Sequence, residues 1–127
     1  MKTKAIAVML GIFLCGTAQG EWVQFSSYNG SPVYFDPDHI ILRLDSKVVV
    51  WQKAVLNLQP RPKNYSYSAI KYIFDCKNEQ FRAVSAFSYS TDDQLIGQQR
   101  SSEIDHVGDV APGTISWVLM NIVCKKK

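Results

Sequence analysis

Two histidines, three cysteines and a short run of basic and aromatic residues are the groups in this chain that could do chemistry. His39 and His106 stand far apart, and neither is flanked by HExxH, GxSxG or a phosphate-cradling glycine loop. Those are the settings in which metal hydrolysis, acyl transfer and phosphoryl chemistry place their groups. An imidazole can still ligate a metal. The plainer reading is two surface histidines, His39 after a turn and His106 in a polar stretch. A serine, histidine and aspartate set can be drawn from the many serines and acids, but chance supplies such sets in any sequence. The expectation is a protein that is not an enzyme.

Cys76 and Cys124 form an even pair once Cys15 is assigned to the N-terminal segment. In an oxidising compartment that favours a disulfide. The loop it closes is about 48 residues, worth about 4 kcal/mol in the chain-entropy picture. A metal site is the rival, and it lacks CxxC spacing.

Arg61, Lys63, Tyr65 and Tyr67 crowd into LNLQPRPKNYSYS, a segment with two prolines and no period. It reads as a surface loop over Leu56 to Ser68. Tyrosine and arginine are enriched at interface hot spots, so these four are the candidate partner-binding residues. The alternative is a plain solvated loop. From Arg43 to Arg82 eight basic residues face Asp45, Asp75 and Glu79. Such a face could meet acidic glycans, acidic protein segments or anionic lipid. Trp22, Trp51 and Trp117 read as core residues before binding platforms.

The groups that must position this chemistry begin after residue 20. Lys2 and Lys4 precede the apolar stretch Ala5 to Leu14, and Ala18-Gln19-Gly20 offers small residues before Glu21. That pattern is an export signal over 1–20, too short to span a bilayer. A membrane anchor is the competing reading. Cys15 could carry lipid, but bulky Leu14 precedes it. The mature chain, 21–127, is then one domain, exported to the periplasm or outer surface and not lipidated. No transmembrane segment is expected after cleavage. The formal charge of +3 includes Lys2 and Lys4, so it says little about nucleic acid, which export makes an unexpected partner. Oligomeric state is left open.

Short apolar runs between turn signals predict mostly β structure. Strands are expected over Glu21 to Ser27, Pro32 to Phe35, Ile40 to Leu44, Lys47 to Val55, Ala69 to Asp75, Gln80 to Ser90 and Leu95 to Gln99. Asn29-Gly30 is a hairpin signal. Along Gln80 to Ser90, strict alternation puts Phe81, Ala83, Ser85, Phe87 and Tyr89 on one, buried face. Ser101 to Val110 reads as irregular. Ile115, Val118, Leu119, Ile122 and Val123 mark the stripe of a helix from Pro112 to Cys124, with Pro112 in its first turn. The expected class is α+β: an antiparallel meander of about six strands, one face covered by the C-terminal helix.

These residues, in order, resemble the surface-adhesin E domain family of Gram-negative bacteria. The resemblance rests on Trp22, Tyr34-Phe35-Asp36, Val50-Trp51, Ser68 before Asp75-Cys76, then Ala111-Pro112-Gly113-Thr114 and Val123-Cys124. It implies a sheet with one C-terminal helix joined by a disulfide. It also implies a non-enzymatic adhesin that engages host matrix proteins such as vitronectin and laminin. Haem binding is a further implication of the family, and it makes His39 or His106, with aromatic neighbours, the alternative site. No other cofactor and no metal are expected.

Overall fold

Turn chemistry sets the first pairings. The computed structural model describes residues 21–100 and 107–125. Strand β1 (Val23–Tyr28) turns at Asn29 and Gly30 into β2 (Ser31–Phe35). Both turn residues have positive φ, 51° and 83°, as a two-residue hairpin loop of this hand requires. Pro32 pairs with Ser27 of β1, and β2 meets its other neighbour only at Tyr34 and Phe35. The missing N–H of Pro32 therefore interrupts no ladder. Asp36 accepts from the Asp38 amide and opens a single 3-10 turn, Pro37–His39.

The rest of the sheet follows chain order. Strands β3 (Ile41–Leu42) and β4 (Lys47–Ala54) are followed by β5 (Tyr65–Asp75), β6 (Gln80–Ser90) and β7 (Leu95–Arg100). The antiparallel order is β1-β2-β4-β5-β6-β7, with β3 on β4. A short β8 (Gly108–Asp109) pairs with the start of β6, where an irregular stretch was expected. Ile40 to Leu44 is a strand only over two residues, because Leu44 and Asp45 already turn and Ser46 takes φ 65°.

Helix α1 (Ile115–Cys124) starts three residues later than the sequence predicts. Gly113 sits at φ +87°, which breaks helical geometry after Pro112. Thr114 is the N-cap: its hydroxyl accepts from the Trp117 amide at 3.2 Å and donates to the Ala111 carbonyl. Such a cap contributes about 1 kcal/mol. Leu119, Met120 and Val123 are the buried helix residues. They share one hydrophobic cluster with Phe35, Val48, Val50, Phe74 and Val110. The Cys76–Cys124 disulfide joins the end of β5 to the helix C-terminus.

Register then assigns the faces. Val48, Val50, Gln52 and Ala54 of β4 lie opposite Phe74, Tyr72, Ile70 and Ser68 of β5. This inner face meets the helix through the cluster. The outer face carries Lys47, Val49, Trp51 and Lys53 of β4 and Tyr67, Ala69, Lys71 and Ile73 of β5. The alternation expected along β6 does not hold throughout. Lys71 pairs with Ser85 but Tyr72 with Ala83, so Val84 is an extra residue. A bulge flips the faces of every side chain beyond it. Phe81 stays inside with Phe74, while Phe87 and Tyr89 are turned outward.

Candidate functional site

The outer face gathers aromatic rings around two lysines. Trp51 lies against Phe87, centroids 5.9 Å apart. Tyr67 and Tyr89 stack at 5.1 Å and 16°. Tyr67 and Tyr89 are direct cross-strand partners, while Trp51 of β4 and Phe87 of β6 meet across β5, where small Ala69 pairs with Phe87. The Lys53 ammonium sits 4.5 Å from the Tyr67 ring centroid, 5.4 Å from Tyr34 and 5.8 Å from Trp22. Lys71 lies 5.9 Å from Trp51. Each such contact is worth about 0.5–1 kcal/mol in a partly wet setting. All these rings are half-buried.

Two depressions shape the surface. One, of about 390 Å³, is lined by Trp22, Trp51, Phe87, Tyr89, Leu95, Asp36 and His39. Its neighbour, about 350 Å³, is lined by Tyr34, Lys53, Tyr67 and Asp93 among others. The Tyr67 hydroxyl donates to Asp93 Oδ1 at 3.3 Å. Partial burial, together with that carboxylate, raises the Tyr67 phenol above its ordinary value near 10.

The residues singled out from the sequence scatter. Tyr65 and Tyr67 belong to β5, not to the preceding loop. Tyr65 is 7% exposed. Its hydroxyl accepts from the Leu56 amide at 2.9 Å and bonds Ser68 Oγ at 2.7 Å, and Ser68 Oγ continues to Ser88 Oγ at 3.2 Å. Tyr65 is thus an internal anchor, and the reading of it as an exposed contact residue is revised. Arg61 lies 5.0 Å above the Tyr65 ring and Lys63 is exposed. Tyr67 alone of the four joins the outer aromatic group.

His39 sits at the rim of the larger depression, and its Nδ1 donates to Asp36 Oδ2 at 2.7 Å. Asp36 is itself buried. His106 and the segment 1–20, with Cys15 and the expected cleavage site, lie outside the described residues. Among the described residues no group of three metal-ligating side chains converges. No described helix is long and apolar enough to cross a membrane.

The tryptophans are the residues that sequence reasoning misplaced. None belongs to the buried core. Trp22 and Trp51 line the outer face, and Trp117 is 39% exposed on the helix. One signal was available: Trp51 alternates with Val50 and Gln52 on a strand whose other face carries the core valines.

Residues 22–125 match the family described as surface-adhesin protein E. Among solved structures, a crystal form of Haemophilus influenzae protein E is similar with a TM-score of 0.56 at 18% identity, over 81% of this chain and 96% of that one. Protein E from non-typeable Haemophilus influenzae gives 0.56 at 17%, over 82% and 75%. At this identity the likeness speaks for the fold. No curated protein sequence matches the chain.

Proposed function

Because the chain belongs to the surface-adhesin protein E family, we propose that it is an exported, non-enzymatic binding module that engages host matrix protein through the outer face of its sheet. The single observation that carries this is the Lys53 ammonium held among Trp22, Tyr34 and Tyr67, beside Trp51 and Phe87. Half-buried aromatic rings offer large apolar area at low entropic cost, and aromatic anchors dominate binding energies. The reading takes 1–20 as the export signal and 21–127 as one domain. It moves the contact surface from Arg61 and Lys63 to the sheet.

Binding of immobilised vitronectin and laminin tests it. Trp51→Ala and Lys53→Gln should each weaken binding, with the melting temperature close to wild type. The Arg61/Lys63 double alanine variant should bind as wild type does. Loss in that double variant alone would return the contact to the loop.

A second reading has its own observation. The Asp36 carboxylate orients His39 through Nδ1, which in the neutral ring leaves the Nε2 lone pair open, and carboxylate-oriented imidazole is a recurring arrangement of metal ligands. Haem fits these residues in kind: His39 would supply the iron ligand and the neighbouring rings the apolar walls. A haem absorbance change on titration, abolished in His39→Ala, is the expected result. An unchanged titration in that variant removes His39 from this role.

A further inference from the structure

We propose that the outer face binds an acidic oligosaccharide, with sugar rings lying on the aromatic side chains and Lys53 and Lys71 meeting carboxylate or sulfate groups; this rests on the reading of the outer face as the contact surface. Charge favours such a ligand. On the outer face of β4, β5 and β6 the register places Lys47, Lys53, Lys71 and Arg82 against Asp75, with Asp45 3.7 Å from Lys47 and Asp93 beside Tyr67; among the described residues Lys53 and Lys71 have no carboxylate in ion-pair range. At the β4 start, Arg43, Lys47 and Arg82 border a further depression of about 270 Å³. Cations therefore run along the same face as the rings.

The kind of cation favours it too. Here two lysines sit at the centre of the aromatic group, 4.5 Å from Tyr67 and 5.9 Å from Trp51. An ammonium is a compact point charge that suits a sulfate or carboxylate without fixed bidentate geometry.

Shape agrees. Trp51 and Phe87 lie against each other, Tyr67 stacks on Tyr89, and Trp51, Phe87 and Tyr89 line one depression. A pyranose ring offers a flat face of weakly positive C–H bonds, which suits the negative face of an aromatic ring. Single-stranded nucleic acid also combines stacking with anionic charge. The export signal read over 1–20 takes the chain away from it, and oligo-dC serves as the comparison probe.

The test uses a heparin hexasaccharide, a neutral chitin hexasaccharide and an oligo-dC strand as calorimetric probes, with vitronectin binding measured in parallel on the same folded variants. Heparin hexasaccharide should bind, and chitin oligomer and oligo-dC should bind at least about tenfold more weakly. The Lys53→Gln/Lys71→Gln variant should lose about tenfold in heparin affinity and show a shallower salt dependence. Trp51→Ala should lose affinity with its salt dependence unchanged. Absence of heparin binding overturns the proposal, as does equal binding of oligo-dC or full affinity in both outer-face variants. If vitronectin binding falls in these variants while heparin does not bind, the outer face stands as a protein contact and only the glycan assignment fails. If the variants change neither, both readings fail.

Discussion

Tyr65 and Tyr67 are two positions apart and occupy opposite environments. Simple alternation would put them on one face, but Tyr65 pairs with Ser90 and Tyr67 with Tyr89, so Ser66 is an extra residue. Tyr65 turns inward to Ser68, which is fully buried. Tyr65→Phe takes its partner from the Leu56 amide and leaves the Ser68 hydroxyl with Ser88 alone. It should cost about 1–3 kcal/mol, read as a lower urea midpoint; a shift corresponding to under about 0.5 kcal/mol would contradict the internal role. Tyr67 and Tyr72 carry a pH prediction. Burial raises both phenols above the ordinary value, and Asp93 adds to this at Tyr67. Their folded pKa lies above the unfolded one near 10, so this contribution is fully present below that value and is lost as pH rises through the folded pKa. A phenolate absorbance titration should show two late transitions that vanish in Tyr67→Phe and Tyr72→Phe. Ionisation of every phenol together near the ordinary value would refute it.

At the scale of elements, much was legible. The Asn29-Gly30 hairpin and the β4–β5–β6 run follow from local residue types, because turn chemistry and hydrophobic alternation act over a few residues; the cysteine pair follows from its even count in an oxidising compartment. What was not legible depends on partners distant in sequence. The Val84 bulge is set by pairing with β5, and it sends Phe87 and Tyr89 outward. Pro112 marks the approach to the helix, but Gly113 in the left-handed region delays its start to Ile115. The tryptophans read as core because large rings usually are, although for Trp51 the alternation with inward Val50 and Gln52 pointed the other way. The disulfide ties helix to sheet across 48 residues. Replacing both cysteines by serine should cost about 4 kcal/mol in the chain-entropy account, seen as a markedly lower melting temperature. Unchanged melting would show that the bridge constrains little.

At the scale of the molecule, one sheet carries two surfaces of different make-up. The inner face holds Val48, Val50 and Phe74 in the helix cluster. The outer face keeps its rings half-buried. If the chain is exported as its first residues predict, the mature protein should begin at Glu21 without lipid, and intact mass checks this; an acylated Cys15 start would contradict it. The central claim is that the outer face makes the contact. Hydroxyl-radical footprinting of the chain with and without bound vitronectin tests it most directly, because aromatic side chains report their own exposure. Trp22, Trp51, Tyr67 and Tyr89 should be protected in the complex, with Trp117 on the helix unchanged. Protection of Trp117 or of the Arg61–Lys63 peptide, with the outer rings as reactive as in the free protein, would contradict the account.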